Sequence, residues 1–204
     1  MRHIWGAALV ALGSLGPAQA ATVFFDGFES SALELSNANL QQNVSGWTVT
    51  AGGVDVIGTN YFQWYGTGRY LDMNGSTQTP GRIEKTIGGL TAGKTYTLGF
   101  DYGYNLNSGT NEQLSFGIAG LTGSINPADF ALVAAPTFRK ALYTFKASAA
   151  SHDLFFADTG VTPDDNGGPV LDNVEINAVP LPAGLPLLAA ALGGLALLRR
   201  RRRA

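Results

Sequence analysis

Along Thr95 to Tyr102 the residues Tyr96, Leu98, Phe100 and Tyr102 alternate with small or polar neighbours. A period of two puts one residue type on each side of an extended chain, so this stretch reads as a strand with one buried face. Similar short runs recur at 23–25, 47–50, 54–57, 70–73, 82–87, 114–118, 142–145, 154–157 and 170–176. Asn74-Gly75, Pro80-Gly81, Gly88-Gly89, Ala92-Gly93 and Asn166-Gly167-Gly168 punctuate them with turn chemistry. About ten short strands with almost no helical period predict an all-β fold, a single antiparallel β-sandwich of the jelly-roll kind. The least regular stretches are 31–43 and 105–111, and neither an internal repeat nor a second domain is visible.

Both ends read as transport labels. Arg2 and His3, the apolar stretch Ile4 to Leu15 and Ala18-Gln19-Ala20 are the three regions of a secretory signal peptide, 1–20. No cysteine follows the apolar stretch and Arg2 has no arginine neighbour, which excludes lipid anchoring and disfavours twin-arginine export. At the other end, 179–204, the positions from Val179 to Leu198 carry no charge and Arg199 to Arg203 follow. That length is about the ~20 residues needed to cross a bilayer, and the arginine block stops transfer on the cytoplasmic side. Pro180, Pro182, Gly193 and Gly194 make it a marginal helix, suited to temporary residence in the inner membrane.

Residues 21–178 between these labels are the size of one domain. Six of the 13 Lys and Arg lie in the end segments, leaving seven against all 15 Asp and Glu, a net charge of −8. Such a surface repels nucleic acid and favours cations or neutral partners. With no cysteine there is no disulfide framework, so burial holds the fold.

The segment Asn60 to Tyr70 is the richest for ligand binding. Sugars present C–H faces and hydroxyls, and their sites pair aromatic platforms with hydrogen-bonding groups. Trp64, Tyr61 and Tyr65 are candidate platforms, with Gln63, Asn60 and Arg69 as hydrogen-bonding partners. Core packing is the competing use of such aromatics, and Trp47 in its Gly-Trp-Thr-Val strand is assigned to the core. Enzymatic chemistry is not expected. After signal removal His152 is the sole histidine, which leaves no catalytic triad or multi-histidine zinc site. The acidic pairs Asp101 with Glu112 and Asp55 with Asp72 are the candidates for a glycosidase dyad. Asp158, Asp164 and Asp165 lack EF-hand spacing and read as a solvated loop.

The order of motifs is itself informative: Asp26-Gly27-Phe28-Glu29, Gly46-Trp47-Thr48-Val49-Thr50, Gly53-Val54-Asp55-Val56-Ile57-Gly58, Tyr70-Leu71-Asp72-Met73-Asn74-Gly75, Gly81-Arg82-Ile83-Glu84-Lys85-Thr86, Gly93 to Asp101 and Pro169-Val170-Leu171-Asp172-Asn173-Val174-Glu175-Ile176. This series resembles the galactose-binding-like jelly-roll domains of the choice-of-anchor C and DUF642 type families, over nearly all of 22–178. Val179-Pro180-Leu181-Pro182-Ala183 with the segment after it resembles the VPLPA variant of PEP-CTERM sorting signals.

The tail resemblance implies recognition and cutting by an exosortase, a membrane transpeptidase, near Pro182-Ala183. Two prolines keep that segment extended and accessible. The domain resemblance implies a structural Ca²⁺ where the first and last strands meet, with Glu29 and Asp172 as ligands and Asp26 as a weaker one. The alternative for these residues is solvated edge charges at Asp26 and Glu29, and hydrogen bonding from a turn to Asp172. Together these readings describe an exported bacterial protein of the cell surface or extracellular matrix, held briefly in the membrane. Its domain either binds carbohydrate, such as exopolysaccharide or biofilm glycan, or acts structurally through protein contacts and calcium.

Overall fold

The computed structural model describes residues 20–31, 44, 46–58, 65, 68–76, 79–105, 112–126, 137–160, 167–180, 193–194 and 199–200. Most of the expected signal peptide and sorting segment, Leu181, Pro182 and Ala183 included, lies outside them. In the tail, Gly193, Gly194, Arg199 and Arg200 have helical backbone. Among the described residues no helix is long and apolar enough to cross a membrane.

Residues Ala21–Val179 form one packed unit of eleven strands among the described residues. They are β1 (Thr22–Asp26), β2 (Thr48–Ala51), β3 (Asp55–Ile57), β4 (Tyr70–Asp72), β5 (Arg82–Ile87), β6 (Thr95–Gly103), β7 (Leu114–Ile118), β8 (Leu121–Ile125), β9 (Arg139–Lys146), β10 (His152–Asp158) and β11 (Val170–Ala178). Six form one antiparallel sheet in the order β3-β4-β11-β6-β9, with β1 also on β11, and the other five form the sheet β2-β5-β10-β7-β8. Apart from β3–β4 and β7–β8, consecutive strands change sheet, so the chain winds back and forth across the sandwich in jelly-roll fashion.

Alternation dictates which side chains fill the space between the sheets. Tyr96, Leu98 and Phe100 of β6 point inward, as do Ala141 and Phe145 of β9 and Leu154 and Phe156 of β10. Phe100 meets Phe156 and Phe116 edge-on at ring separations of 5.0 and 5.1 Å, within the range in which aromatic quadrupoles attract. Trp47 is buried as its strand context predicts, 6.1 Å from each of the rings of Phe24, Phe28 and Phe156.

The hairpin partner β8 is the strand that the sequence pattern does not reveal. Its turn is Ala119-Gly120, with φ of 52° and 85°, the two positive values that a two-residue turn needs to match strand twist. Alanine in place of the usual asparagine or aspartate hides the turn signal.

Candidate functional site

The outward face of the six-stranded sheet is roofed at one end by aromatic side chains. Tyr65, which follows β3, lies with its ring centroid 4.4 Å from that of Phe138 and 5.5 Å from that of Tyr70. Its hydroxyl donates to the Tyr104 carbonyl at 2.5 Å. Gly103 beneath it must lack a side chain, because a Cβ there would sit 2.5 Å from the Tyr65 hydroxyl. Burial raises the Tyr65 phenol pKa to about 12. Tyr65 is therefore a packed anchor for its segment rather than a free platform. Trp64 and Tyr61 lie outside the described residues.

Arg69 and Glu29, assigned by sequence to different sites, come together. A Glu29 carboxylate oxygen accepts the Arg69 backbone N–H at 2.9 Å, and the Arg69 guanidinium donates to the Ser31 carbonyl. These bonds tie the turn after β1 to the chain entering β4.

The other two expected calcium ligands sit nearby, each engaged by N–H groups. Asp26 accepts the Phe28 N–H at 2.8 Å and the Trp47 indole N–H at 2.9 Å. The first of these bonds holds Phe28 in the left-handed region at φ 57°, a conformation a bulky residue rarely adopts. Asp172 faces Asp101 across β11 and β6 beside a bulge. Asn173, at φ 47°, donates its N–H to Asp172 at 2.7 Å and its side-chain amide to Asp101 at 2.9 Å. Burial, then the negative charges of Asp101, Glu29 and Asp26, push the Asp172 carboxyl up to about 7. The three carboxylates share one electrostatic neighbourhood, with Asp101 added. Among the described residues no three such side chains converge closely enough to hold an ion. Asp172 accepts its hydrogen bonds from the adjoining residue Asn173 of β11 and not from a separate turn.

Of the two acidic pairs, Asp55 and Asp72 are direct register partners across β3 and β4, and both are buried. Asp72 accepts the N–H groups of Asn74 and Gly168 at 3.0 and 2.8 Å and the Asn105 amide at 2.6 Å. Asp55 accepts from the Ser76 N–H and hydroxyl at 3.0 and 2.6 Å. The pair forms a buried lock at the strand ends. Asp101 faces Asp172 and Asn173, while Glu112 is buried and acts electrostatically on Tyr65. His152 is structural: its ring nitrogen accepts the Ser148 and Ala149 N–H groups at 3.0 and 3.1 Å.

Burial, reinforced by the Asp55 charge, holds the Asp72 pKa well above the usual carboxylate range. A raised folded-state pKa contributes stability below the unfolded value of about 4, and that contribution is lost as pH rises through the folded one. Asp55→Asn keeps an acceptor for Ser76 and removes the repelling charge. Its Tm relative to wild type is expected to climb with pH, reaching about +3 °C at pH 8, on the order of 1 kcal/mol. Scanning calorimetry at pH 4 and pH 8 checks this, and a difference independent of pH would refute it.

On the opposite sheet, Thr48, Thr50, Glu84, Lys85, Thr86 and Asp153 line an open polar groove of about 470 Å³. Its groups are already paired, Thr86 with Asp153 and Lys85 with the Gly46 carbonyl, both at 2.6 Å.

The chain is 31% identical over 177 residues to Halomucin from Haloquadratum walsbyi, a match that covers 81% of this chain. It spans about 2% of the length of that relative. Among solved structures, the CBM22-1 xylan-binding domain from Paenibacillus barcinonensis Xyn10C is similar at 14% identity and TM-score 0.46, over 82% of this chain and 100% of that one. The CBM6cm-2 carbohydrate-binding module of Cellvibrio mixtus lichenase 5A, in complex with cellotriose, is similar at 17% identity and TM-score 0.41, over 78% and 100% of the two chains. The family described as protein of unknown function DUF642 matches residues 24–177, nearly the whole sandwich. The chain belongs to the DUF642 family.

Proposed function

We propose that this is an exported surface or matrix protein whose sandwich domain binds carbohydrate without turning it over. The observation that carries the reading is the aromatic roof, with Tyr65 packed between Tyr70 and Phe138 and directly following Trp64 in the sequence. Trp64 and Tyr61 supply the platform, with Arg69 positioned by Glu29 and Ser31. Relation to a protein named Halomucin fits an extracellular setting. The ends deliver the domain: the signal peptide exports it, and an exosortase cuts at the Val179 to Ala183 motif after brief residence in the inner membrane.

Affinity electrophoresis of the purified full chain against a panel of polysaccharides tests the binding. At least one polymer is expected to retard the wild type, and Trp64→Ala to weaken retention about tenfold, near 1.4 kcal/mol. Equal retention of the variant would remove Trp64 from the site. The C-terminal peptide of cell-surface material ends near Ala183 on this reading, and an intact run through Arg203 overturns the exosortase step.

A second reading is a structural role through protein contacts and calcium, favoured by the negative charge that Asp101, Glu29 and Asp26 bring to bear on Asp172. It predicts indifference to every glycan, together with a Tm higher in CaCl₂ than in EDTA, since an ion that binds only the folded state stabilises it by mass action.

A further inference from the structure

The same sheet face carries a second feature, centred on Gly99, four residues along β6 from the Gly103 that lies beneath Tyr65. Phe25, Glu175, Gly99 and Leu142 are successive register partners on β1, β11, β6 and β9. They form one row across four neighbouring strands, about 14 Å long at the usual strand spacing. Phe25 and Leu142, at its two ends, are 59% and 63% exposed and are two of the three exposed large hydrophobic side chains among the described residues.

The middle of the row is low and polar. At Gly99 the Glu175 side chain lies over the strand, so that a Cβ there would sit 2.9 Å from a Glu175 carboxylate oxygen and push it aside. Lys140 holds Glu175 at 2.5 Å. That pairing lowers the Glu175 pKa and raises that of Lys140, so both stay charged near neutrality.

We propose that this row is a binding site for an uncharged polysaccharide, lying across the strands with sugar C–H faces on Phe25 and Leu142 and hydroxyls on Glu175 and Lys140. The inference rests on the carbohydrate-binding reading and adds a second site with its ligand class. The chemistry selects the occupant. A sugar chain alternates apolar ring faces with hydroxyls, as this row alternates apolar ends with a charged centre. A second copy of the chain needs about 800 Å² per partner with an apolar core, whereas here two apolar side chains stand apart with an ion pair between them. The −8 charge of the domain also repels another copy, and it repels a polyanion.

The purified full chain is run through gels containing laminarin, dextran or alginate, with Phe25→Ala, Leu142→Ala, the double variant and Trp64→Ala alongside. At least one uncharged polymer is expected to retard the wild type. Each single substitution weakens that retention about fivefold and the pair about twentyfold, with Tm unchanged because both side chains lie at the surface. Trp64→Ala keeps the share that depends on Phe25 and Leu142. Wild-type retention by the double variant, with loss in Trp64→Ala, overturns this site and leaves the proposed function standing. No retardation of the wild type by laminarin or dextran overturns the site, whereas no binding to any polysaccharide overturns both. Stronger retardation by alginate, or an oligomer in sedimentation that the double variant dissociates, gives the row a different occupant and overturns the inference.

Discussion

Phe156→Ala is expected to lower the unfolding free energy by about 3–5 kcal/mol. The side chain is fully buried on β10, the central strand of the five-stranded sheet, and reaches across to Phe100 of the other sheet. It also supports Trp47 at 6.1 Å, and Trp47 holds Phe24 and Phe28 of the N-terminal segment. Truncation removes apolar burial and leaves a cavity that two hydrogen-bonded sheets cannot close. Domains are stable by about 5–15 kcal/mol, so the loss is a large fraction of the total. Urea titration should show a lower midpoint with an unchanged slope. A loss of under about 1 kcal/mol would mean that the sheets are not packed through this ring.

The second large effect is expected at Gly81. Its missing side chain admits two stretches of backbone and a methyl group: a Cβ there would stand 2.5 Å from the Gly53 carbonyl oxygen, 2.7 Å from the Met73 carbonyl oxygen and 2.5 Å from Val54 Cγ1. Those contacts cannot retreat. The Gly81 N–H donates to Met73 at 2.7 Å, the Gly75 N–H to Gly53 at 2.9 Å, and the Asp158 N–H to Gly81 at 2.9 Å. Gly81→Ala must push apart the chain entering β3 and the chain leaving β4. Overpacking of this kind costs about 1–3 kcal/mol, and here the upper end or more, because main chain rather than side chain has to move. The same titration reads it, and a midpoint within error of wild type would show that the junction gives way.

Ten of the eleven strands are visible in the sequence because half-buried strands enforce a two-residue period, and at Tyr96, Leu98 and Phe100 that period is the inward face itself. The strand β8 escapes because its inward residues are few and its turn carries alanine. The site is less legible. The carbohydrate segment is recognisable by composition, yet nothing local tells that Tyr65 is held by Phe138 and the Tyr104 carbonyl, partners 73 and 39 residues away. Asp26 and Glu29 stand out as acids near the first strand. That Asp26 serves the Trp47 indole and Glu29 the Arg69 backbone depends on pairings 21 and 40 residues apart. The row of Phe25 and Leu142 is invisible in sequence for the same reason: single exposed apolar residues acquire meaning only through strand register.

The pairing of β1 with β11 also determines how the domain carries mechanical load. The Ala178 N–H donates to the Ala21 carbonyl at 2.8 Å and the Val179 N–H to the Thr95 carbonyl at 3.1 Å, so both chain ends leave the sandwich at the same corner. A pull transmitted through residue 179 enters β11, which is flanked by β6 along its length on one side and by β4 and then β1 on the other. Tension along that strand loads its ladders in shear, many bonds at once, instead of unzipping them one by one. A domain tethered by its C-terminal end would hold its shape under drag while the sheet face stays presented to the medium.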